Sequence, residues 1–266
     1  MKVSDLYKYY RWLSLDVTVG AISVLYLLQI SNGIKVPIAA YWALGSAIWV
    51  VYLMDHWLDA KKKVAASPRR IFYKENRRTL LILAFFPAFS GFVSVFFIPR
   101  EILVSGAILV MVCLAYLSLN RLLASVYFKE LCVAIVFAMA CSLPVWSMGA
   151  FTQPIIVLLM LLGLLAFSNL LVFAYYESEE DRQEGFHSIA LLMNPTTHRI
   201  LVWLLLGLMI TLSLSLKVEW RFSAFIIFSS SMLGLIMTLP NLFSVGERYR
   251  MLGDGIFLTA FVFAML

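Results

Sequence analysis

The chain has 266 residues, of which 62% are hydrophobic and 14% charged, with a mean hydropathy of +0.91 and a formal net charge of +6. A water-soluble domain carries roughly 25% charged residues, so this composition excludes one. The apolar residues fall into unbroken blocks of roughly 18 or more, the length of a membrane-crossing helix, and their lack of alternation excludes a transmembrane β-barrel.

Taken in order, the chain begins with MKVSDLYKYYRW, which is polar and basic. The apolar run behind it is as long as a full span rather than a short signal core, so no cleavable signal peptide is expected. Nine spans are predicted, at 12–30, 36–54, 80–98, 102–119, 131–146, 154–176, 200–216, 222–239 and 255–266. Pro144 is expected to interrupt the fifth. The ninth is short, which leaves eight spans as the alternative. The predicted fold class is all-α: a polytopic membrane helical bundle of about nine transmembrane helices in two four-helix-type halves around a central cavity. It forms one domain over 1–266, with halves at approximately 1–129 and 130–266. Cys113, Cys132 and Cys141 lie inside apolar runs without paired or metal-type spacing and are read as small buried hydrophobes.

Orientation follows from the basic residues. With nine spans, 17 of the 21 Lys and Arg lie on the side that holds the N-terminus and the loops after spans two, four, six and eight. Lys35, Arg100, Lys217 and Arg221 are the four on the other side. Positive charge is retained on the cytoplasmic side, so the N-terminus and both long polar loops, 55–78 and 177–199, are expected there. The two loops stand four spans apart in matching positions, which is the layout of an internal repeat.

Each long loop opens on a carboxylate pair. Asp55 and Asp59, in VVYLMDHWLD, are four residues apart, which on a helix places them about 40° apart around the axis, on one face. Two carboxylates at the edge of a bilayer are costly to place. Mg²⁺ is a hard cation that takes such oxygen ligands and usually brings a phosphate-bearing substrate. Glu177 and Asp181 repeat the spacing after span six, with Glu180 and Glu184 as a competing register. Two such pairs facing each other would each hold one Mg²⁺ and clamp a diphosphate between them.

A diphosphate also calls for cations, and Lys61, Lys62, Lys63, Arg69, Arg70, Lys74, Arg121, Lys129 and Arg182 all lie on the cytoplasmic side. Most of the 61–78 positives serve as topology determinants or contacts to anionic headgroups. Lys129 stands apart, opening span five beside Glu130, and Arg182 lies inside the acidic cluster, where a guanidinium can bridge a carboxylate or grip phosphate oxygens. Tyr52 and Tyr176, beside the two acidic pairs, complete the candidate diphosphate group with Arg70. Asn169, about two turns before Tyr176, either faces the same cavity or makes an interhelical hydrogen bond. Asp16 reads as a helix-start or snorkelling carboxylate. His56 points away from the aspartate face, and His187 and His198 show no metal spacing.

These residues resemble the UbiA superfamily of intramembrane prenyltransferases, in the form of a divergent member. The family's first motif, N-D-x-x-D-x-x-x-D after helix two, matches Asp55 and Asp59, while Val51 and Tyr52 stand where it has Asn and Asp. Its second, D-x-x-x-D followed by Gly and a basic-Ser pair after helix six, is similar to the stretch Glu177, Asp181, Gly185, His187, Ser188, with Glu for Asp and His for Lys. Lys129 resembles a family lysine near the diphosphate. The resemblance covers the layout of the whole chain, but only about 20 residues in motif.

What the resemblance implies is a nine-helix intramembrane enzyme with Asp55, Asp59, Glu177 and Asp181 as catalytic and Mg²⁺-binding residues. Its reaction moves a polyprenyl group from a prenyl diphosphate to an acceptor, whether aromatic, quinone or lipid precursor. Membrane lipids are the expected surroundings, and nucleic acid is not an expected partner. A cyclase or hydrolase of prenyl diphosphates at the same site is one alternative. A non-catalytic lipid-binding or transport protein on this scaffold is the other.

Overall fold

A computed structural model describes residues 3–59, 68–122, 129–149, 152–184, 188–216 and 218–266. They form twelve α-helices and short 3₁₀ turns: α1 (Val3–Trp12), α2 (Leu15–Asn32), α3 (Ile38–Asp59), α4 (Pro68–Glu75), α5 (Arg77–Ser94), α6 (Arg100–Leu122), α7 (Lys129–Met148), α8 (Gln153–Glu184), α9 (Pro195–Ser215), α10 (Trp220–Thr238), α11 (Pro240–Phe243) and α12 (Arg248–Met265). Nine of these, among the described residues, have 18 residues or more, and each overlaps one predicted span. Seven are long and apolar enough by themselves to cross a membrane, namely α2, α3, α5, α7, α8, α9 and α10. The protein is an integral, multi-pass membrane protein.

In the absence of water a helix satisfies its own backbone, which is why apolar runs of this length adopt no other form. Two elements depart from expectation. Pro144 does not interrupt its helix, since α7 runs through it to Met148. A proline withdraws one backbone donor, a loss that packed membrane helices absorb. The acidic stretch after span six is helix rather than loop, because α8 continues to Glu184. At 32 residues it is about 48 Å long, well beyond a hydrocarbon core of about 30 Å, so its acidic end projects from the apolar layer.

The main core lies among α2, α7, α8, α10 and α12, centred on fully buried side chains such as Leu25, Leu161, Leu165, Phe222 and Phe225. The last long helix packs along the first, α12 on α2. Gly20 permits that approach, since a Cβ there would sit 2.9 Å from Phe257 Cβ. Toward the outside, α5 presents Phe85, Phe86, Phe89 and Phe92, and α6 presents Val104, Ile108 and Met111. An apolar surface of this extent is a lipid-facing one.

Candidate functional site

The acidic ends of α3 and α8 form two neighbourhoods joined by α12. In the first, Asp55 is half-buried near the end of α3, with Tyr52 one turn before it. Tyr52 lies within electrostatic reach of Asp55, of Asp16 on α2 and of Asp254 on α12, so three helices bring carboxylates around one phenol. Across from them, α4 carries Tyr73, fully enclosed, whose hydroxyl donates to the Trp12 carbonyl at 2.7 Å. Burial pushes the Tyr73 phenol well above its ordinary pKa, which keeps it a donor. His56 packs its ring against Tyr73 at 5.4 Å and Tyr52 at 6.2 Å, an aromatic filler beside the aspartate rather than part of its face. Arg69, on α4, is close enough for its charge to be felt at Tyr73, Glu177 and Asp254.

The second neighbourhood is built on one face of α8, where Asn169, Phe173 and Glu177 follow at four-residue intervals against α12. Arg250 donates to Glu177 through both edges of the carboxylate, Nε to Oε1 at 2.5 Å and Nη2 to Oε2 at 2.6 Å. Tyr249 adds a third bond, its hydroxyl donating to Oε1 at 3.0 Å. The pair is held in place by rings: Tyr249 stacks on Tyr176 at 4.4 Å and 4°, and the Arg250 guanidinium lies 5.1 Å from the Phe173 ring centre. The Tyr176 hydroxyl donates to the Ile236 carbonyl at 2.7 Å, so it is committed to α10. Only glycine fits at 253, where a Cβ would lie 2.5 Å from both Asn169 Oδ1 and a Phe173 ring carbon. Asn169 is 4% exposed, and its Oδ1 has no hydrogen-bond partner among the described residues.

Asp181, one turn beyond Glu177, faces the start of α7 instead. Glu130 there lies within electrostatic reach of Asp181 and of Lys129. The Ile189 amide donates to Glu130 Oε1 at 3.3 Å, while Oε2 is buried without a partner among the described residues. Arg182 turns outward, 72% exposed, and lies 3.9 Å from Glu179. Asp59 closes α3, but its side chain, like that of Arg70 and the whole of His187, lies outside the described residues. His198 is buried with Nε2 2.9 Å from the Leu171 carbonyl, a structural contact. Among the described residues no three His, Cys, Asp or Glu side chains cluster as a metal cage.

The predicted residues group by the neighbours they share. Asp55 and Tyr52 gather at one point, Glu177 and Tyr176 at another that α12 links to it, and Lys129 and Asp181 at a third. Missed from the sequence were Arg250, Tyr249 and Asp254, and the weight of Asp16, which is buried with Oδ1 accepting from the Val17 amide at 2.9 Å. Arg250 and Asp254 follow a four-residue spacing at the start of an apolar run. That is the same signal that exposed the two acidic pairs. A recess of about 640 Å³, lined by Arg100, Trp146 and Ser147 among others, lies at the opposite ends of α6 and α7 and takes no part in this arrangement.

No family model matches the sequence, and no curated protein matches it. The fold is nonetheless that of UbiA-type membrane proteins. The apo structure of a UbiA homolog from Aeropyrum pernix K1 matches with a TM-score of 0.68 at 13% identity, over 94% of this chain and 98% of that one. A structure from a study of the biosynthesis of digeranylgeranylglyceryl phosphate synthase in membranes matches with a TM-score of 0.58 at 15% identity, over 99% of both chains.

Proposed function

We propose that the protein is an intramembrane prenyltransferase, which moves a polyprenyl group from a prenyl diphosphate to an acceptor in the lipid phase with Mg²⁺. The observation that supports this reading is the place of Arg69 at one end of a UbiA-type bundle, where its charge is felt at Glu177 together with that of Arg250, and at Tyr73 together with that of Asp55.

The donor set suits Mg²⁺. It consists of carboxylate oxygens alone, and Mg²⁺ is commonly held by one or two carboxylates with the substrate's phosphates and waters supplying the rest, so a closed cage is not needed. Glu130 Oε2, without a hydrogen-bond partner among the described residues and within electrostatic reach of Asp181, is a further oxygen able to take part. Asp55 and Asp59 would hold one ion and Asp181 the other. When bound, Mg²⁺ would stabilise the charge on the departing diphosphate. The chain's own groups orient and enclose: Arg69 and Lys129 supply positive charge toward the phosphates, Tyr52 and Tyr73 wall the site, and the bundle keeps water from the electron-poor prenyl carbon. The prenyl tail lies among the apolar helices.

Protein purified in detergent, given labelled prenyl diphosphate, Mg²⁺ and a lipid extract, should release diphosphate, and Asp55→Ala should lower the rate by about 100-fold or more. A requirement for lipid extract would separate transfer from cyclisation or hydrolysis. The second reading is a lipid-binding protein without turnover, and it is favoured by Val51, an apolar side chain 61% exposed where the fuller motif is polar. Absence of release with every prenyl chain length tried would leave that reading in place and remove the enzymatic one.

A further inference from the structure

Among the predicted metal ligands, Glu177 has both carboxylate oxygens engaged by side chains of α12. Both of its oxygens are taken by Arg250, and one also by Tyr249. At 18% and 19% exposure the two side chains are largely withdrawn from solvent, where a bidentate pair is much stronger than at a surface. Three of the roughly four acceptor positions of this carboxylate are occupied, which leaves a divalent ion one position on Oε2, beside a guanidinium whose positive charge repels it. The arrangement is better suited to holding the guanidinium than to holding a metal.

We propose that Arg250 binds the diphosphate and that Glu177 is its positioning residue rather than a metal ligand. The proposal rests on the prenyl diphosphate reading given above. A guanidinium has five N–H donors, and the carboxylate uses two, leaving three for phosphate oxygens. Everything that touches Arg250 fixes its plane: the Glu177 fork on one edge, the Phe173 ring beside it, and the Tyr249–Tyr176 stack behind the carboxylate. The α12 backbone can approach α8 closely enough for this only because residue 253 has no side chain. Asp254, one turn further along α12, and Arg69 lie within the same field, so an anion entering here meets two guanidiniums held between carboxylates.

Binding of inorganic diphosphate, in excess Mg²⁺, to the full-length protein in detergent tests the idea by calorimetry. Binding of Mn²⁺ alone, followed by its paramagnetic resonance signal, gives a second readout that does not involve turnover. Arg250→Gln should weaken diphosphate binding by about tenfold or more, and Arg250→Lys should restore only part of it, because an ammonium cannot reproduce the fork. Glu177→Gln should weaken diphosphate binding several-fold and leave Mn²⁺ affinity within about twofold. If Glu177→Gln instead loses Mn²⁺ tenfold while Arg250→Gln binds diphosphate as the parent does, Glu177 is a metal ligand and the proposal falls. A merely structural clasp would lower the melting temperature of both variants with diphosphate affinity unchanged, and that also overturns it. Should Arg250→Gln fail to fold, the Arg250→Lys and Glu177→Gln titrations decide alone. Parent protein that binds no diphosphate would defeat the prenyl diphosphate reading itself. Normal parent binding with unaffected variants would defeat only the role given to Arg250.

Discussion

One methylene decides what residue 177 can reach. A glutamate at the end of α8 extends far enough to meet Arg250 and Tyr249 on α12 with all three hydrogen bonds formed. An aspartate would fall short by about the length of one C–C bond, roughly 1.5 Å. That is enough to break a bidentate geometry, because hydrogen bonds weaken steeply beyond about 3.2 Å. The substitution Glu177→Asp is therefore expected to destabilise the fold by about 1.5–3 kcal/mol, the typical worth of a hydrogen bond to a charged group. The measurement is the thermal-unfolding midpoint in detergent, and an unchanged midpoint would mean that the Glu177–Arg250 clasp contributes nothing to the fold.

At the scale of elements, the contact of α8 with α12 rests on small residues as much as on charge. A methyl group at position 253 would overlap Asn169 and Phe173, both on the buried face of α8. Gly253→Ala is expected to cost about 1–3 kcal/mol through forced side-chain shifts and to weaken the Arg250 clasp with it. A cross-link between cysteines placed on α8 and α12 would report the separation directly, and an unaltered yield would refute the overlap. The long helices and the acidic pairs were legible from hydrophobic run length and from four-residue spacing. Both are local properties, carried by neighbours in the chain such as Asp55 beside the apolar run of α3. The four-residue spacing of Arg250 and Asp254 was there to be read, but not the partner of Arg250, which lies 73 residues away in the chain. The overshoot of α8 was missed for a related reason: hydropathy marks where lipid ends, whereas the helix ends where its hydrogen-bonded backbone does, at Glu184. The amphipathic α1 and α4, too polar to register as spans, escaped for the same cause.

Over the whole molecule, the packing of α12 on α2 returns the end of the chain to its beginning. It places Asp16, Asp254 and Arg250 at the same end as the acidic termini of α3 and α8, and Arg11 reaches Glu247 at 3.0 Å across the same seam. The polar end of the bundle is thus assembled from residues spread along the full sequence, while the lipid-facing sides of α5 and α6 carry almost nothing but apolar groups. Which side of the membrane this end occupies is a separate question, and the basic residues give the expectation to be tested. They concentrate at the acidic end, where the retention of Lys and Arg on the cytoplasmic side would keep it. With Cys113, Cys132 and Cys141 replaced, single cysteines at two exposed positions should therefore differ. Glu180→Cys, near the end of α8, should react with an impermeant maleimide only after the membrane is opened or inverted, and Lys35→Cys, between α2 and α3, should react from outside intact cells. Labelling in the opposite sense would put the acidic ends outside, away from the cytoplasmic supply of phosphorylated substrates, and would count against the proposed reaction as well as the orientation.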